Sequence, residues 1–121
     1  MRSFDLDDHA CIARSSDGGK SFTWSDMGFQ GHPLNAMRLP NGRWLLTYGY
    51  RHKPYGIRAR IMDVECHTWS DEIVLRDDGG STDLGYTWPV LIDDHHALVV
   101  YYFNYEGTRG TRSIEGTIIE F

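Results

Sequence analysis

Apolar and polar positions alternate in short runs along this chain, and no stretch keeps the i, i+3, i+4 spacing of an amphipathic helix. Ile57, Ala59 and Ile61 alternate with Arg58, Arg60 and Met62, the period of a half-buried strand. Comparable runs predict strands at His9–Arg14, Phe22–Ser25, Leu34–Leu39, Arg43–Tyr50, Tyr86–Ile92, Ala97–Phe103 and Ser113–Phe121. Asn41-Gly42 between apolar runs signals a tight hairpin, and Asp93–His96 closes another. Gly28, Gly31 and Pro33 predict an irregular Met27–Pro33, Arg51–Tyr55 reads as a polar loop, and Asp71–Asp83 reads as a loop around the short apolar piece Ile73–Leu75. The pattern is all-β.

Ser15-Ser16-Asp17-Gly18-Gly19-Lys20-Ser21-Phe22 has a chemistry of its own. The Asp17 carboxylate can accept hydrogen bonds from backbone N–H groups of its own turn, and the glycines can take positive φ there. Phe22 is expected to begin the return strand and pack beneath the turn. A weaker echo follows at Met62–Trp69, where Thr68-Trp69 persist but Met62, Val64 and Cys66 stand where Ser, Asp and Gly would be. The hairpin from Leu39 through Tyr48 likewise has a partner running from Leu91 through Val100. Meanders of about four strands, recurring every ~40–50 residues, are the signature of β-propeller blades. The chain accommodates about two and a half of them, too few to close a ring of the usual ~4–8 blades. It is therefore expected either to be the C-terminal portion of a longer propeller or to close a ring by self-association.

The turn at Ser15, Asp17, Gly19 and Phe22 resembles the Asp-box of sialidases (neuraminidases) and related propellers, where the box is structural. The resemblance extends to Gly31-His32-Pro33, to Leu39-Pro40-Asn41-Gly42-Arg43, to Leu46–Arg51 and to Asp83-Leu84-Gly85-Tyr86. It implies a partial, six-bladed, sialidase-like domain over residues 1–121, acting on a terminal sialic acid or a related acidic sugar. Sialidases use a tyrosine nucleophile, an exception to the two-carboxylate scheme, and clamp the sugar carboxylate with arginine forks. By position, the resemblance makes Tyr86 the candidate nucleophile and Arg51 a candidate clamp. Arg58 is a further candidate with Arg60 behind it, although a solvated strand face is the plainer reading for both. His32 stands where a supporting carboxylate is hoped for and could meet sugar hydroxyls, and Asp83 could serve near Tyr86. Trp88 could stack on a sugar, although a strand tryptophan more often sits in a core. The family's general acid and its first arginine belong to blades that this stretch does not contain. The alternative is an Asp-box propeller that binds carbohydrate, or is structural, without catalysis.

Composition narrows the rest. The chain has 121 residues, 13% aromatic, with a formal net charge of −5. That charge gives no surface for a phosphate backbone, so no nucleic-acid partner is expected. No apolar run spans a bilayer, and Met1–Ala10 lacks a leader pattern. Compartment stays open. Cys11 and Cys66 form no disulfide framework, and two buried small hydrophobes is the plain reading, with a bridge between them left open. His95-His96 beside Asp93-Asp94 is a poor metal site, since neighbours on a strand point to opposite faces. No cofactor or metal is expected, and no phosphate loop or Gly-x-Ser-x-Gly nucleophile elbow is present.

Overall fold

The computed structural model describes residues 2–107 and 109–121; Met1, where the stretch read for a leader begins, and Thr108 lie outside them. It is all-β, with ten strands in three antiparallel sheets among the described residues. The first sheet holds β1 (Arg2–Ser3), β2 (His9–Arg14) and β3 (Thr23–Gln30), with a 3-10 turn at Phe4–Leu6. The middle sheet is a four-stranded meander of β4 (Leu34–Arg38), β5 (Trp44–Tyr50), β6 (Gly56–Met62) and β7 (Ile73–Arg76). The third holds β8 (Gly85–Leu91), β9 (His96–Asn104) and β10 (Arg112–Glu120) in the order β10-β9-β8.

Alternation along β5 decides how the sheets stack. Leu46 and Tyr48 turn toward the first sheet and join Ala10, Met27 and Phe29 in one core. Leu45, in the opposite phase, turns the other way and joins Leu84 and the third-sheet residues Ala97, Val99, Tyr101 and Phe103. Strand β6 does the same, with Ile57 and Ala59 in the second core and Met62 in the first. The middle sheet is thus buried on both faces, which is why its strands carry so few exposed positions.

Polar links also cross these interfaces. Between the first and middle sheets, the Arg60 guanidinium lies 4.5 Å from the Phe29 ring centroid and donates to the Tyr48 hydroxyl at 3.0 Å. Tyr48 in turn donates to Glu72 Oε2, and Arg58 Nε donates to Glu72 Oε1. Burial pushes the Tyr48 phenol up, so it stays a neutral donor. Between the middle and third sheets, Thr47 donates to the Thr87 hydroxyl at 2.9 Å, and Asn35 Nδ2 to the Thr87 carbonyl.

Several expectations need correction. β3 runs through Met27–Gln30 because Gly28, at φ 75°, absorbs a bulge opposite His9–Cys11, and Asp26 accepts the Gly28 N–H at 2.8 Å. Ile73–Arg76 is a paired strand on β6, not a loop. Phe22 precedes β3 and is 63% exposed, so it is not packed beneath the turn as a buried residue. The hairpin repeat is one residue out of phase with the sequence reading. Leu39 N bonds the Arg43 carbonyl as Ile92 N bonds the His96 carbonyl, so Leu39 matches Ile92 and Tyr48 matches Tyr101. That shift puts both tyrosines on the face toward the preceding sheet, as a one-residue slip must.

Because Leu45 and Leu46 fill different cores, Leu45→Ala and Leu46→Ala should each destabilise the fold by about 2–5 kcal/mol. Chemical denaturation checks this. A neutral effect of either would contradict a middle sheet packed on both faces.

Candidate functional site

The turn from β2 to β3 is closed by one carboxylate. Asp17 Oδ1 accepts from Lys20 N and Ser21 N, both at 3.0 Å, and from Ser15 Oγ at 2.7 Å. Oδ2 accepts the Ser21 hydroxyl at 2.6 Å, and Gly19 N donates back to Ser15 Oγ. Gly18 and Gly19 hold the positive φ the turn requires, 74° and 87°. These donors, the Ser21 hydroxyl first, hold the Asp17 carboxyl well below the usual range. The echo works differently from its sequence alignment. Asp63, not Val64, is the acceptor, taking His67 N at 2.6 Å and Thr68 N at 3.1 Å. Cys66 stands at φ 60°, the left-handed conformation that Gly19 holds in the first turn. Cys66 is half-exposed rather than buried, while Cys11 is buried, and no disulfide joins the two. Arg14 ties the two turns together by donating to the carbonyls of Glu65 and Cys66.

The more unusual geometry lies where β5 ends and β8 begins. Gly49 and Gly85 pack back to back: a Cβ on either would meet the other's Cα at 3.2 Å. Gly85 takes φ 115° and Tyr86 takes φ 50°, with a bulge between Gly85 and Trp88 in the pairing to β9. Positive φ costs a non-glycine residue about 1–2 kcal/mol. Tyr86 is nevertheless 67% exposed, so no core packing of its own side chain repays that cost. Arg51 reaches across from the end of β5 and donates from Nε and Nη2 to the Leu84 carbonyl at 3.3 and 3.0 Å. Its guanidinium carbon lies 5.7 Å from the Tyr86 ring centroid. The Tyr102 ring packs 5.8 Å from that of Tyr86. An open groove of about 260 Å³ runs alongside, lined by Pro33, Leu34, Asn35, Tyr86, Thr87 and Trp88.

Asp83 stands behind this surface. It accepts the Tyr102 hydroxyl at 2.8 Å and Arg112 Nε at 2.8 Å, with Arg112 Nη2 on the same oxygen. The Arg112 bonds first, then Tyr102, hold its carboxyl below the usual range. Partial burial, and then the bond to Asp83, raise the Tyr102 phenol to about 12. On the other side, His32 Nε2 and His52 Nε2 lie 3.4 and 3.7 Å from the same Asp8 oxygen. His32 N donates to the Gly49 carbonyl, which anchors this cluster to the same end of β5.

The structure thus brings together Tyr86, Arg51, Asp83 and, one strand away, His32. It does not bring Arg58 or Arg60 there. Arg58 is 2% exposed and spends its donors on Glu72 and on the carbonyls of Ile57, Pro54 and Arg76; its guanidinium stacks on Tyr50 at 4.8 Å. The solvated face expected for these arginines is closed instead, Arg60 lying against Phe29 of the first sheet and Arg58 among Tyr50, Pro54, Glu72 and Arg76. Trp88, read as core, is 67% exposed on the outer face of the third sheet. Sequence reasoning missed Tyr102, whose outward phase on β9 could have revealed it. It also missed Arg112, Asp8 and His52, which reach the site through long-range contacts that leave no local signal. Among the described residues no group of three His, Cys, Asp or Glu side chains is placed to hold a metal ion. No helix of the described residues is long and apolar enough to cross a membrane.

No protein-family model matches the chain, and no curated protein matches it. Among solved structures, the crystal structure of a protein of unknown function from Dyadobacter fermentans DSM 18053 is similar, with 61% sequence identity and a TM-score of 0.88. The match covers 96% of this chain and 32% of that one, so the chain spans about a third of the length of its solved relative.

The Asp17 turn gives a pH prediction. A carboxyl depressed in the folded state contributes stability that is complete above its unfolded value of about 3.9 and is lost as pH falls toward the folded value. The stability difference between wild type and Asp17→Asn should therefore be constant from pH 7 to about 5 and shrink below about pH 4. Denaturation at a series of pH values measures it; a difference that grows on acidification would contradict the assignment.

Proposed function

We propose that this chain is part of a sialidase-like β-propeller and that the Tyr86–Arg51 rim binds an acidic sugar, with Tyr86 as nucleophile in its hydrolysis. The observation that carries the reading is an exposed tyrosine held at φ 50° beside an arginine, above an open groove. Strained backbone under an exposed polar aromatic is characteristic of a working surface rather than of packing. A neutral phenol can approach a reacting carbon that bears a carboxylate without the repulsion a second carboxylate would suffer. Arg51 keeps Nη1 and the outer hydrogen of Nη2 clear of the Leu84 carbonyl, an edge suited to an anion.

The propeller reading draws on the stacking. Each sheet packs its inner face on the one before, and the hairpins of the middle and third sheets close alike. The outer face of the third sheet exposes Trp88, Val90, Ile114 and Ile118, an apolar surface of the kind that another sheet covers. A solved relative about three times as long has the chain length to supply further blades. A ring completed by self-association is the other way to cover that face.

One observation favours a second reading, carbohydrate binding without catalysis. Among the described residues, no carboxylate accepts a hydrogen bond from the Tyr86 hydroxyl, and Asp83 is engaged by Tyr102 and Arg112. Assays on the intact protein separate the two readings. For a hydrolase, 4-methylumbelliferyl sialoside is turned over, and Tyr86→Phe abolishes turnover while 3′-sialyllactose affinity stays within about threefold. Undiminished turnover in Tyr86→Phe would sink the nucleophile assignment, and binding by wild type without turnover would establish the second reading.

A further inference from the structure

Tyr86 holds a conformation that its own side chain does not need, so the surroundings must impose it. Two of the restraints are backbone: the close approach of Gly85 to Gly49, and the bulge that offsets β8 from β9. The third is a side chain. Arg51 places two donors on the Leu84 carbonyl, the last carbonyl before Gly85, and lays the same guanidinium beside the Tyr86 ring. One rigid plane therefore touches the chain on both sides of the Gly85 turn. Arg51 is also the first residue after β5, so its backbone is anchored by the strand whose side chains fill both cores.

We propose that Arg51 is a positioning residue, whose planar fork fixes the Leu84–Tyr86 turn and so sets where the Tyr86 hydroxyl stands for an anionic sugar. The inference deepens the reading of this rim as an acidic-sugar site and rests on it for the ligand. It differs from a plain carboxylate clamp. The Nε–Nη2 edge, which a carboxylate would meet side-on, is already spent on Leu84. Lysine could not replace this arginine. An ammonium is a point charge, with no second donor in a fixed plane and no flat face for the ring.

The test uses the intact protein labelled with 3-fluorotyrosine. The 19F resonance of Tyr86 is assigned by its loss in Tyr86→Phe. In Arg51→Gln and Arg51→Lys that resonance should shift, with the melting temperature little changed. Both variants should lose kcat for 4-methylumbelliferyl sialoside by about tenfold or more. An unmoved Tyr86 resonance in either variant overturns the proposal. So does an Arg51→Lys protein that keeps wild-type kcat, the result expected of a charge clamp. If Arg51→Gln fails to fold, Arg51→Lys decides alone. If the wild type binds no sialyllactose, the acidic-sugar reading fails, while the 19F shift still decides whether Arg51 positions Tyr86.

Discussion

The alternating phase of β5 is the constraint on which the other features depend. A strand whose neighbouring side chains fill two different cores cannot slip by one residue without turning both cores out to water. That requirement fixes the register of β4 and β6 on either side. It also fixes where β5 stops, because Gly49 must pass against Gly85 with no side chain between them. Arg51 emerges just beyond that contact, so the rim geometry follows from the packing of the middle sheet.

Charge is handled by the same architecture. Arg58 and Arg60 occupy the polar phase of β6, yet both are largely shielded from water, so their guanidinium groups need partners in its place. Glu72, the Tyr48 hydroxyl, several carbonyls and the rings of Tyr50 and Phe29 supply them. Arg76 repeats the device at the next interface, between Glu115 and the rings of Phe103 and Tyr105. Arginine suits such positions because its flat face packs on aromatic rings while its edge bonds. Arg51 uses the same two surfaces at the rim, against an exposed ring in place of a buried one.

Much of this was legible in the chain. Period-two alternation located β4, β5 and β6 of the middle sheet and the strands of the third, and Asn41-Gly42 marked a hairpin. Asp17 was readable as a turn acceptor because its donors lie within its own turn. What failed was what depends on distant chain. Phe22 and Trp88 are large and apolar, and nothing local says that no sheet among the described residues covers them. Arg58 and Arg60 looked solvated because the groups that cover them, Phe29 for Arg60 and Tyr50, Glu72 and Arg76 for Arg58, lie off their own strand. The phase of the second hairpin was misjudged because the apolar residues of β9 lie on both of its faces, so composition did not reveal which face is inner. At the site, Tyr86 and Arg51 could be singled out, but the left-handed turn and the Tyr102–Asp83–Arg112 support arise only from tertiary contacts.

The most direct measurement is a crystal structure of the intact protein soaked with N-acetylneuraminic acid. The account predicts the sugar in the groove beside Pro33 and Trp88, its carboxylate on the outward edge of Arg51, and Tyr86 still at positive φ with its hydroxyl toward the anomeric carbon. A sugar bound elsewhere, or a Tyr86–Arg51 rim buried beneath other parts of the protein, would contradict it.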